Sequence, residues 1–169
     1  MTERREETGA DHTLQPPVMN RAAIQDAIPH RDPFLFLDAI VEASETDVTS
    51  LWRVPEDAPW FQGHFPGRPI LPGVLISEHV FQTAAVLISR NLAGFAAEDG
   101  VPVLTKIEAA RFRRMVRPGD TLTTTVHVEE RLGPAWYMSG VVQCDGQTVV
   151  KLRCTLSASE ALARATGGA

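Results

Sequence analysis

GVLISEHVFQTAAVLISRN, residues 73–91, runs without proline or internal glycine, which is enough chain for about five helical turns. Val74, Leu75, Ile76, Val80, Phe81, Ala84, Val86, Leu87 and Ile88 place apolar groups nearly all round it. That pattern marks a buried helix, not a surface one. Pro72 stands just before it as a natural start. Glu78 interrupts the apolar surface near its middle.

A helix of this kind must be covered, and the rest of the chain supplies strands. Phe34–Val41 and Val48–Val54 are rich in β-branched and aromatic residues and flank the polar run 44–47, so a hairpin is expected. After a connection at 94–100, strands are expected at Val101–Ala110, Thr121–Glu130, Ala135–Cys144 and Thr148–Leu156. Asp145-Gly146 joins the last pair, because both central positions of a tight hairpin need φ > 0. Asn20 caps a short helix through Ile28, which Pro29 ends. The stretch 55–72 carries too many prolines for a regular element and reads as an ordered loop. One long buried helix beside about six strands is an α+β arrangement, with the sheet curled around the helix. The expected organisation is a tail over 1–18, one domain over 19–158 and a second tail over 159–169.

Composition narrows the function classes. At 169 residues, 44% hydrophobic and 22% charged, the chain is an ordinary globular protein. A domain of this size buries roughly two-thirds of its unfolded surface. A net charge of -5 argues against nucleic-acid binding by the whole surface. Cys144 and Cys154 lack the spacing of a zinc site or a disulfide framework, and Met1–Glu7 has no apolar leader, so a cytoplasmic protein is expected, neither exported nor membrane-bound. There is no GxGxxG, Walker loop or cluster of metal ligands, so no metal, nucleotide or other cofactor is expected.

The chemistry concentrates in and after the loop GHFPGRPILPGV, residues 63–74. His64 is its one side chain that titrates near neutral pH, a candidate general base. A carboxylate inside an apolar helix, as Glu78 is, must be paired, hydrogen-bonded or protonated. It serves either as a functional acid or as a residue reaching the sheet edge or a subunit interface. Gln82, one turn on, lies where its amide can hold that carboxyl. His79 is on another face and reads as structural. Gly73 opens the helix with a free N–H and no side chain, a place for an oxyanion. Arg111, Arg113, Arg114 and Arg117 form a basic run against an acidic balance, either a solvated face or a landing site for an acidic partner.

IPHRDPFLFLD from Ile28, FQGHFPGRPILPGVLISEHVFQTAAVL from Phe61 and ARFRRMVRPGD from Ala110 resemble, in order and spacing, the three signature blocks of the FabZ-type 3-hydroxyacyl-acyl-carrier-protein dehydratases. The resemblance spans about Ile28 to Leu156. It implies a hot-dog fold, assembled as a dimer or trimer of dimers with the acyl tunnel at the subunit interface, or as a heterodimer with another hot-dog subunit. It implies that His64 acts at C2, that Glu78 of the partner protonates the leaving C3 hydroxyl, that Gly73 binds the thioester oxygen and that Gln82 supports the carboxylate. Phe65, Pro66 and Pro72 match positions that shape the loop, and acyl carrier protein is the implied partner, docking on the arginine run. Ser77 and His79 depart from the usual leucine and alanine, and Val103-Leu104 replace an aromatic gate, which opens the chain type to polyene or polyketide intermediates. Competing readings are a hot-dog thioesterase and a non-catalytic acyl-binding subunit, and the same base leaves an isomerase side reaction open.

Overall fold

Asn20 begins the first helix as expected: its side-chain Oδ1 accepts from Ala23 N at 3.0 Å, satisfying an amide that has no helical partner. The computed structural model describes residues 16–91 and 100–158. Residues 1–15 of the expected N-terminal tail and all of 159–169 lie outside the described residues, as does most of the 94–100 connection.

The elements are β1 (Met19–Asn20), α1 (Arg21–Ala27), β2 (Ala39–Ala43), β3 (Asp47–Arg53), α2 (Gly73–Asn91), β4 (Pro102–Phe112), β5 (Thr121–Leu132), β6 (Ala135–Cys144) and β7 (Gln147–Ala158). A short 3-10 turn, Pro59–Gln62, sits inside the long loop. The strands form one antiparallel sheet in the order β1-β2-β3-β5-β6-β7-β4. Among the described residues seven strands stand where about six are expected, because two residues at Met19–Asn20 pair with Ile40 and Ala39, a bridge too short to leave a period in sequence. Helix α1 stops at Ala27, with Ile28 as its extended C-cap.

The largest departure is at Phe34–Val41, where a strand was expected and β2 begins only at Ala39. Backbone groups of the missing part go to side chains instead of a ladder. Phe36 N donates to Gln82 Oε1 at 2.8 Å, Phe36 O pairs with His79 Nδ1 at 2.7 Å, and Phe34 O accepts from Gln82 Nε2 at 3.1 Å. Arg21 Nη1 caps Leu37 O at 2.7 Å. Apolar content alone does not distinguish such a segment from a strand.

Helix α2 packs on β3, β5 and β6. Val80, Ala84, Val86 and Leu87 are buried against Val48, Trp52, Leu122, Val126 and Val142. At Gly140 on β6 a Cβ would stand 2.4 Å from Val80 Cγ1, so glycine there sets how closely helix and sheet approach. Register shifts in β2, β4, β5 and β6 or β7 interrupt the ladders and let the sheet bend round the helix. Strand β4 is the exception to this burial. Among the described residues it pairs only with β7, and Leu104, Ile107 and Phe112 are exposed along it. Among the described residues no helix is long and apolar enough to cross a membrane.

Candidate active site

Two groups of residues emerge, one built on the middle of α2 and one on the loop before it. In the first, Gln82 is fully buried and Nε2 donates to Glu78 Oε1 at 3.0 Å. Its Oε1 and the rest of its amide hydrogens are spent on Phe36 N and Phe34 O, so the amide cannot flip, and it presents N–H to the carboxyl. Glu78 lines a cavity of about 280 Å³ with Phe81, Ala85, Val103, Leu104 and Leu156 among its walls. Burial raises the Glu78 pKa above the ordinary carboxylate value, and the Gln82 bond only partly offsets it. Both effects act on a carboxyl whose charged form is disfavoured by burial.

His79 is wholly buried next to the Trp52 ring, 5.4 Å between centroids. Burial outweighs its bond to Phe36 O and pushes its pKa down to about 4, so it is a neutral imidazole donating from Nδ1. Ser77 Oγ donates to Gly73 O at 3.1 Å. Both departures from the usual helix pattern are therefore absorbed by the fold: neither side chain belongs to the walls of the Glu78 cavity.

The second group is the loop. His64 N donates to Trp60 O at 2.9 Å, Ile70 N donates to His64 O at 2.9 Å, and His64 Nδ1 lies 2.7 Å from Ile70 O. A carbonyl can only accept, so Nδ1 carries the hydrogen and Nε2 keeps its lone pair. The His64–Phe65 peptide is cis, and the half-exposed Phe65 ring stacks on the imidazole at 4.1 Å. Pro72 O accepts from Leu75 N and Ile76 N, the first bonds of α2, which leaves the Gly73 amide with no helical partner. A Cβ on Gly73 would stand 3.0 Å from Phe112 Cε1, so glycine and the aromatic edge form one narrow spot.

Within the protomer His64 is not among the residues lining the Glu78 cavity, and no hydrogen bond joins the two. The basic run also divides. Arg113, Arg114 and Arg117 line a cavity of about 630 Å³ together with Asp120 and Asp145, whereas Arg111 lies only on the neighbouring sheet surface with Lys151 and Arg153, and Arg113 borders both. Among the described residues none of these four arginines makes an ion pair.

The family model of the FabA-like domain matches residues 28–153. The 3-hydroxyacyl-[acyl-carrier-protein] dehydratase FabZ of Anaeromyxobacter sp. strain K is 42% identical over 136 residues, covering 80% of this chain and 87% of that one. The chain belongs to the FabZ-type dehydratase family. The FabZ protein of Thermotoga petrophila is 39% identical over 139 residues, 82% of this chain and 96% of its own. Among solved structures, the dehydratase heterocomplex ApeI:P of Xenorhabdus doucetiae matches with a TM-score of 0.69 at 17% identity, covering 85% of this chain and 97% of that one. The fold of this FabZ-type chain is accordingly a hot dog. One residue of its first signature block received no role from the sequence: His30 lines the Glu78 cavity. Its place within IPHRDPFLFLD was the available signal, but chain order does not say that the segment folds back over α2.

Proposed function

We propose that this protein dehydrates 3-hydroxyacyl thioesters held on acyl carrier protein to trans-2-enoyl thioesters, a step of fatty-acid biosynthesis. The observation that carries the reading is the Glu78 carboxyl, desolvated in an apolar cavity and held by an amide that cannot turn away. His64 Nε2 takes the proton from C2, the electron pair forms the C2–C3 double bond, and the C3 hydroxyl leaves as water with the proton from Glu78. The Gly73 N–H stabilises the charge that gathers on the thioester oxygen. Phe65 and Pro72 set the loop shape around these groups.

Each protomer supplies one His64 and one Glu78, and two copies joined along β4 bring the His64 of one to the Glu78 of the other. Strand β4 is suited to this role: it is an edge with unpaired backbone groups on its outer side and half-exposed Ile107 and Phe112. We favour a homodimer or a trimer of such dimers, with a heterodimer the alternative if the chain does not assemble alone. Arg111, Arg113, Arg114 and Arg117 receive the acidic carrier and guide its phosphopantetheine arm inward. Acid and base suffice for the reaction, so no metal or organic cofactor is assigned. Buried thiols at Cys144 and Cys154, the latter pushed up to about 12, suit a reducing cytoplasm. Val103 and Leu104, small for the wall beside Glu78, suit acyl chains broader than a simple saturated one, polyketide or polyene intermediates included.

The test is to incubate the purified protein with 3-hydroxyacyl carrier proteins of several chain types and follow loss of water by mass spectrometry. His64→Ala and Glu78→Gln should each lose at least about 10³-fold in turnover while remaining folded. Free thiol release without an enoyl product would replace this reading with a thioesterase.

A further inference from the structure

Among the described residues Glu78 shares its cavity with one other titratable side chain. His30 comes from the segment after α1, and its Nε2 stands 3.6 Å from Glu78 Oε1, a small ring rotation from hydrogen-bonding distance. The side chains are 25% and 23% exposed, so water competes weakly for either. His30 Nδ1 is buried with no partner among the described residues, so the imidazole has a single polar direction open to it, toward the carboxyl. Gln82 Nε2 already donates to the same oxygen.

We infer that His30 is a positioning residue for the proposed acid: with Gln82 it directs an N–H at Glu78 Oε1, so that the transferable proton resides on Oε2, facing the substrate. The inference rests on the reading of Glu78 as the proton donor. The local charges agree with it. Burial first, and Arg31 second, lower the His30 pKa, while burial raises that of Glu78, so both shifts run toward the uncharged form of the pair. Arg31 is held by Ile28 O and His30 O, and Asp32 is turned to Arg21. From α2 the cavity receives only Glu78 as a charged group, and its lining residues from β4 and β7 are apolar. Two donors on one oxygen make it the acceptor end of the carboxyl and fix where the hydroxyl hydrogen sits.

The experiment compares His30→Phe, which keeps a ring and removes the donor, with His30→Gln, which restores an N–H at similar reach. In His30→Phe, kcat for a 3-hydroxyacyl carrier protein should fall about tenfold to thirtyfold with KM within about twofold, and His30→Gln should recover most of the loss. Losing the donor disfavours the carboxylate, so the Glu78 titration, read directly by carbon NMR of the labelled side chain, should move to higher pH in His30→Phe and return in His30→Gln. In a Glu78→Gln background His30→Phe should cost almost nothing further. Equal losses in the two His30 variants, or an unmoved Glu78 titration, would overturn the positioning role while leaving Glu78 as the acid. Full activity of Glu78→Gln would overturn the acid itself, and this role with it.

Discussion

Around Glu78 the chain has finished its own work: Gln82 and His79 are buried, their amide and imidazole are tied to Phe34 and Phe36, and the carboxyl has one defined neighbour on α2. Around His64 and β4 the opposite holds. The imidazole is oriented by Ile70 O, but Phe65, Ile107, Phe112 and Met115 turn apolar surface outward. Apolar side chains gathered like this mark an interaction surface more than a finished exterior. The Glu78 half is therefore organised and enclosed by folding, and the His64 half is organised by folding but left open, to be enclosed by a second copy in the proposed assembly. Substitutions in the two halves should accordingly fail in different ways.

The most severe break should come at the open half. Ile107→Glu places a charge in the middle of β4, on a side chain that is 49% exposed in the protomer. Light scattering should show loss of self-association, and kcat/KM should drop at least about 10³-fold, with helix and sheet signals retained. An active, assembled Ile107→Glu protein would move the interface elsewhere. Gly73→Ala is milder. Its methyl would meet Phe112 Cε1 at 3.0 Å, a contact that a shift of the ring by a few tenths of an ångström relieves. The melting temperature should therefore stay near the parent value, while the narrowed spot at the helix start costs about 10²-fold in kcat.

The closed half should reveal itself through pH. His79 is neutral in the fold, with a pKa pushed from 6.5 to about 4 by burial. Between those values the unfolded chain binds a proton that the folded chain refuses, so stability falls as pH drops. At pH 5 the loss relative to pH 7 should be about 2 kcal/mol by urea unfolding, and the lowered His30 adds to it in the same direction. Glu78, raised in the fold, works the other way, so the measurement belongs in Glu78→Gln. A flat profile there would mean that His79 is not desolvated. The smallest effect should come from the arginine surface: Arg113→Glu with Arg114→Glu should raise KM about tenfold for carrier-bound substrate and leave a pantetheine thioester nearly unaffected. An unchanged KM would remove carrier docking from this surface.

The sequence carried the Glu78 half further than the His64 half. Glu78 stood out because a charge in an all-round apolar helix demands an explanation, and Gln82 followed from helical spacing. The same geometry makes His79 structural, and its bond to Phe36 O agrees. The strand expected over Phe34–Val41 is missing before Ala39 for the reason that makes the site: backbone groups of Phe34, Phe36 and Leu37 are reserved for Gln82, His79 and Arg21. His30 went unassigned because nothing in its spacing relates it to α2, from which it is separated by two strands and a long loop.

By itself, the order of residues determined the helix over 73–91, the hairpin at Asp145-Gly146 and the family's signature blocks, since each depends on neighbours within a few positions along the chain. Only the tertiary structure decided which backbone groups the Gln82 amide would hold, that His30 would face Glu78 and that Phe112 would close over Gly73. Those contacts join residues far apart in sequence, and their geometry is set by how the sheet bends around the helix, a property of the packed whole that no local period encodes.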